Sequence, residues 1–532
     1  MKYFNQIFVL LLVLLTIGCA RRGRPEGGPK DETAPIMVTA SPPYESVNFK
    51  EDKIRIHFDE YIVLKELQKQ LVVSPPMKNP PLITPQGTAS KYINIKILDT
   101  LKPNTTYTFN FGNAVQDNNE NNKLESFKYV FSTGTYIDSL SVKGNVADAL
   151  EKETQKNINV LLYRVDSTYN DSIVYKRKPD YITNTLDSTL FNITNIREGK
   201  YVLLALKEEA NDFIFNSKTD KIGFLKDPIL LPKDSIIEED IVFFKEIQPF
   251  QFKKAKEVSK GKIEFGFEGK QKDLKIELLS QVPNDFKYFT QFEQEKDTLN
   301  YWHSLVEADS LNFKVSHQKF IDTVTVRLRK KKVDSINVKS NISSTLHPTD
   351  TLFLTTNNPI VKHDTSKFTL IDKDTVNIDY KLQKIGINKL AVLFKQTPNN
   401  RYSLKVLPKG IIDLYETSND SLNYSFKTLE AEDYGSIILE IKNEQNKPLI
   451  IELLQKDKVV KTEYISSSKK IEFNLLEPKE YSVRAIIDEN NNRKWDTGNF
   501  LKKIQPEKII YYETEFKLRA NWVIQNEVFT IK

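Results

Sequence analysis

Short runs in which every second residue is apolar constrain this chain more than any other feature. Ile54, Ile56 and Phe58 alternate with Lys53, Arg55 and His57, and Ile93, Ile95 and Ile97 repeat the pattern. Tyr107, Phe109 and Phe111 continue it, then Phe127, Tyr129 and Phe131; Ile263, Phe265 and Phe267 and Val324, Val326 and Leu328 carry it onward. A two-residue period puts one set of side chains on one face of a pleated strand. Turn signals such as Lys102-Pro103-Asn104 and Asp117-Asn118-Asn119 separate the runs, so the predicted unit is an antiparallel sandwich of about 100 residues. The only helical signal runs from Leu64 to Leu71. Gly199 to Leu206 is apolar at almost every position, which predicts a strand buried on both faces. A length of 532 residues is too great for one core, and Cys19, the single cysteine, excludes any internal disulfide. Each sandwich must therefore rest on its own apolar interior. The net charge of +6, from 77 basic against 71 acidic residues, is spread along the chain, which argues against nucleic acid as a partner.

The first nineteen residues are of another kind. Lys2 precedes an apolar run from Ile7 to Leu15, followed by Thr16-Ile17-Gly18-Cys19. The run is shorter than the roughly 20 apolar residues that a membrane-spanning helix needs, and it reads as a secretory signal peptide over 1–18. Thr-Ile-Gly-Cys resembles the lipobox of bacterial lipoproteins, which implies lipidation of Cys19; the alternative is an ordinary cleaved signal with an incidental cysteine. Residues 19–35, rich in Gly, Pro and charge, form a flexible tether, and Arg21, Arg22 and Arg24 would each add roughly 1 kcal/mol of attraction to anionic headgroups. By the same resemblance, Ala20 implies the outer membrane of a Gram-negative envelope. The lack of an acidic run after Cys19 leans toward its periplasmic face over the cell surface.

Beyond the tether, Asp59-Glu60-Tyr61, Val73-Ser74-Pro75-Pro76, Leu101 to Tyr107 and Phe131-Ser132-Thr133-Gly134 resemble the bacterial Ig-like domain named after the S-layer protein SbsA. That resemblance places an Ig-like domain at 36–136 and brings no catalytic residue with it. Val142-Lys143-Gly144-Asn145-Val146 with Gly199 to Ala205 is similar to transthyretin-like, carboxypeptidase-regulatory sandwiches, expected over 137–246. A middle β domain, 247–345, resembles no family. The pattern then repeats. Pro398-Asn399-Asn400-Arg401-Tyr402 parallels Pro103-Asn104-Thr105-Thr106-Tyr107, and Lys479 to Ala485 parallels Gly199 to Ala205. A second Ig-like domain is thus expected at 346–430 and a second transthyretin-like sandwich at 431–532. The fold class is all-β, a tandem array of Ig-like and transthyretin-like β-sandwich domains after a lipoprotein signal peptide. Few contacts cross the boundaries of such a string, so it is expected to form an extended rod.

Chemistry has few places to reside. Asp488, Asn490, Asn492 and Asp496 have the spacing of oxygen ligands in a Ca²⁺ loop, although Arg493 stands where such a loop wants Gly and no Glu closes it. Asn and Asp also close tight turns on their own backbone, so a turn and a structural calcium remain as alternatives. Asp117 to Asn122 reads as a turn. Trp495, inside the polar loop, is the tryptophan expected to be exposed and able to stack on a sugar ring; Trp302 and Trp522 are expected in cores. The five histidines are scattered without zincin spacing, and neither a Gly-x-Ser-x-Gly elbow nor a phosphate-binding Gly loop occurs. Arg327 to Lys332 is the densest basic run, read as solvated edge protection against a lipopolysaccharide-binding strip. These observations predict no enzyme. They predict a structural or protein-interaction scaffold held to a membrane by its lipid, with envelope proteins or glycans as partners; a glycan-binding lipoprotein is the alternative.

Overall fold

Alternation places the cores where it predicts them. The computed structural model describes residues 30–293, 296–318, 320–329 and 332–532. Cys19 and its surroundings lie outside the described residues, as do Lys330 and Lys331. In the first sandwich, strand Lys53–Leu64 buries Ile54, Ile56 and Phe58 and exposes Lys53 and Arg55. It pairs antiparallel with Ser90–Lys96 and Met37–Ser41, while Val72–Ser74, Thr106–Gly112 and Phe127–Ser132 form the facing sheet. Ile93, Ile95, Tyr107, Phe109, Phe111, Tyr129 and Phe131 interdigitate between the two. The predicted helix shrinks to one turn, Leu67–Gln70.

Four further sandwiches follow among the described residues, each with its own core. The internal repeat extends to single hydrogen bonds. Tyr107 Oη accepts the Lys102 N–H at 2.9 Å, and Tyr402 Oη accepts that of Thr397 at 2.8 Å. The preceding Asn104 and Asn399 both take the left-handed conformation, φ 48° and 49°, which Asn tolerates. Thr133 and Thr428 each bond back to the carbonyl of Lys102 and Thr397. The second and fifth sandwiches share another device: Tyr201 Oη donates to the Arg197 carbonyl and Tyr481 Oη to that of Glu477. Each also contains one parallel pair, Ile241–Phe244 beside Leu140–Asp148 and Gly435–Asn443 beside Val523–Ile531.

Strand Gly199–Lys207 is buried on both faces, as its composition predicts. Tyr201, Leu203 and Ala205 enter the interior of the second sandwich, whereas Val202, Leu204 and Leu206 join a separate cluster on the other side. That second cluster includes Val72 from the first sandwich and Phe500 from the fifth. The expectation of an extended rod is therefore wrong: the chain folds back, because this apolar outer face must be covered. The second sandwich contacts the third through Lys218–Glu268, and the third contacts the fourth where Tyr415 Oη donates to the Gly261 carbonyl at 2.7 Å. At the next boundary His347 Nε2 meets the Leu475 carbonyl at 2.7 Å, and the fifth sandwich returns to the second. Sandwiches two to five thus form a closed circuit of contacts.

Candidate functional site

The loop that the spacing of Asp and Asn singles out lies where this circuit closes. Asp488 is buried at the end of strand Glu480–Ile487, and its carboxylate accepts the N–H groups of Asn492 at 3.0 Å and Arg493 at 2.8 Å. Asn490 Oδ1 also accepts the Asn492 N–H, and Asn492 Oδ1 accepts that of Lys494. The amide groups of Asn490 and Asn492 both donate to Asp496 Oδ2, at 2.6 and 2.5 Å. The four residues do come together, yet their oxygens are engaged in closing the turn. A calcium ion would need both amides reversed and the Asp488 lone pairs released. Among the described residues, no group of three or more His, Cys, Asp or Glu is placed to hold a metal ion. The same device appears at Asp117, whose carboxylate accepts the N–H groups of Asn119, Glu120, Asn121 and Asn122; burial opposes its ionisation, but these four bonds outweigh it and hold its pKa below the ordinary value.

Trp495 is half-buried. Its indole N–H donates to the Glu507 carbonyl at 3.0 Å, and its ring packs against the apolar cluster of the second sandwich. Its surroundings are those of a joint, not of a free stacking platform. Trp302 is in a core as expected, whereas Trp522 is 49% exposed with the Arg519 guanidinium 4.9 Å from its ring. The expectation that Trp522 is a core residue fails because it sits in a turn before the edge strand Val523–Ile531.

Residues that the sequence reading passed over do most at this joint. Phe500 is fully buried, edge-on to Phe224 with centroids 5.3 Å apart. Its N–H donates to Glu246 Oε1 at 2.7 Å. Burial pushes the Glu246 carboxyl above its ordinary pKa, and the Phe500 N–H only partly opposes this. Lys503 Nζ lies 4.1 Å over the Phe500 ring and pairs with Asp171 at 2.7 Å. Thr497 Oγ1 donates to the Lys245 carbonyl and Gln505 Nε2 to that of Phe224, both at 2.7 Å. Gly498 is required by space, since a Cβ there would stand 2.5 Å from the Phe244 ring and 2.6 Å from the Ile504 carbonyl. Phe500-Leu501, an apolar pair inside a polar loop, is the one local signal of this joint.

Beside the joint, a cleft of about 1050 Å³ opens between Leu150 to Glu153 and the fifth sandwich. Arg484 crosses its floor, paired with Glu452 at 2.7 Å, and Tyr511 Oη bonds the Leu150 carbonyl. Lys152–Glu515 at 3.6 Å spans the mouth. No helix among the described residues is long and apolar enough to cross a membrane.

Residues 31–133 match the family model of the bacterial Ig-like domain. No curated protein matches the chain. Among solved structures, domains 5–6 of the S-layer protein SbsC are similar at 9% identity and a TM-score of 0.19, covering 35% of this chain and 99% of that one. Domains 1–6 of SbsC align at 11% identity over 92% of this chain and 68% of that one, with a TM-score of 0.17. The major pilin subunit BcpA of Bacillus cereus aligns at 8% identity over 74% and 97%, with a TM-score of 0.13. Scores this low carry no argument, and the β-sandwich array rests on its own sheets and cores, headed by a segment that matches the bacterial Ig-like domain.

Proposed function

We propose that this chain is a non-catalytic scaffold of the bacterial cell envelope, fastened through acyl chains on Cys19 to the outer membrane and facing the periplasm. The observation that carries the scaffold reading is the closed circuit: the loop from Trp495 to Gln505 fixes the fifth sandwich against the second through Trp495, Thr497, Phe500, Lys503 and Gln505. A body held in this way presents loops and sheet edges to partner proteins at set positions. The anchor rests on the Lys2 to Cys19 pattern, and several acyl chains, at about 0.8 kcal/mol per buried methylene, would make attachment almost permanent. Metabolic labelling with a clickable palmitate analogue tests the anchor. Label on the native protein and its loss, together with membrane association, in Cys19→Ser is expected; an unlabelled native protein refutes the anchor. Cross-linking in intact cells tests the scaffold, and failure to capture any envelope protein counts against it. Glycan binding, the alternative, draws no support from Trp495, whose indole is committed to the joint.

A further inference from the structure

Cations meet across the solvent face of the first sheet, as they also do at Lys207–Lys221 and Arg401–Lys427. Lys53 stands directly opposite Lys96 in the antiparallel pair. Like charges in that position repel across a few ångströms and destabilise a sheet. Among the described residues, neither lysine has a carboxylate within ion-pair distance, whereas Lys256 on another sheet faces Glu264 across its strand pair at 3.3 Å. The next row of the face reads Ser41, Arg55, Asn94 and Thr84 across four strands. Arg55 Nε donates to Asn94 Oδ1 at 2.8 Å, and its guanidinium lies 4.8 Å from the Tyr92 ring. The side chain is thereby held, while its two terminal nitrogens have no protein partner among the described residues. His57 follows, opposite Tyr92, with rings 5.8 Å apart. Leu82, 55% exposed, flanks Lys96. The shallow hollow of about 860 Å³ over these rows is lined by three cations and one carboxylate, Glu51.

We infer that this face docks on an anionic bilayer surface. Solubility asks for interspersed signs; three uncompensated cations with an exposed Tyr and Leu suit a layer of phosphate headgroups above an apolar boundary. The inference rests on the anchored reading above, because the chain enters this sheet at its edge strand Met37–Ser41, and Ser41 shares the basic face. Ile36 follows Cys19 by 17 residues, a length of chain that reaches at most ~60 Å. The face is thus confined near the headgroups, where each cation adds about fivefold to partitioning, the equivalent of ~1 kcal/mol.

The test uses the chain from Ala20 to Lys532, which lacks Cys19 but keeps every described residue, with vesicles of phosphatidylcholine alone or with one-third phosphatidylglycerol. Co-sedimentation with the phosphatidylglycerol vesicles at low salt, and release at high salt, is expected. The double variant Lys53→Thr/Lys96→Thr should bind about 25-fold more weakly, with slower amide exchange at Ile54 and Ile95, since the opposed lysines no longer repel. A role in solubility alone would leave vesicle binding unmoved. Equal binding by the double variant, equal binding to both vesicles, or retention on dextran sulfate without vesicle binding overturns the inference. None of these outcomes touches the lipid anchor, which the Cys19 labelling decides separately.

Discussion

Replacing Phe500 by Ala should undo the joint between the second and fifth sandwiches without unfolding either. The ring is completely buried in a cluster with Phe224 and Phe244. An aromatic side chain buries about 150–250 Å², which at about 25 cal/mol per Å² corresponds to ~4–6 kcal/mol. Ala retains its Cβ share, so the loss falls in the 3–5 kcal/mol range measured for buried Phe→Ala changes. The edge-on contact with Phe224 and the Lys503 ammonium at 4.1 Å are lost with the ring. A loss of 3–5 kcal/mol shifts the closed-to-open ratio by about 10² to 10³·⁵. The core of the fifth sandwich does not include Phe500, so that sandwich keeps its own interior. A chain of several sandwiches does not unfold in one step, so a single unfolding midpoint would blur the effect. Amide hydrogen exchange reads it locally: the Phe500, Lys503 and Ile504 N–H groups should lose protection by that factor, while Val483 and Ala485 keep theirs. Small-angle scattering should show a larger radius of gyration, and an apolar dye should bind the uncovered face of the second sandwich. Protection at Phe500 unchanged in the variant, with the same scattering curve, would refute the claim that this ring closes the circuit.

Glu246 makes the joint sensitive to pH. Its carboxyl is raised above 4.5 by burial, so the folded state holds the proton more tightly than the unfolded state. The stability penalty is therefore absent below the ordinary value and grows as pH rises through the raised one. Glu246→Gln, which can still accept the Phe500 N–H but cannot ionise, should raise the amide-exchange protection factor at Phe500 at pH 8 and leave it unchanged near pH 4; an equal gain at both would exclude ionisation as the cause. Isothermal titration of the full chain with calcium should give no saturable heat at millimolar ion, because the oxygens of Asp488, Asn490, Asn492 and Asp496 already accept or align hydrogen bonds. A saturable heat abolished by Asp496→Asn would establish a calcium site in this loop.

Much of the candidate site was legible one residue at a time. The Asp488 to Asp496 spacing marked a loop closed by its own side chains, and the turn reading follows from Asx chemistry that needs only neighbours in sequence. The partner of that loop was not legible. Glu246 and Phe500 are separated by 254 residues, and nothing in either local pattern names the other. Trp495 illustrates the error this invites: a tryptophan in a polar loop reads as exposed until the surface that covers it is known.

The sequence by itself determined the sandwiches. A two-residue period fixes which side chains enter a core, and Tyr107 and Tyr402 pin equivalent corners because Pro-Asn-x-x-Tyr occurs twice. It even determined that strand Gly199–Lys207 must be covered on both faces, since Tyr201 to Leu206 are apolar at every position. What covers the second face was decided only in three dimensions. Burial of apolar surface has no direction and no address, so Val202, Leu204 and Leu206 demand a cover without specifying it, and the fold supplied Phe500 from the far end of the chain.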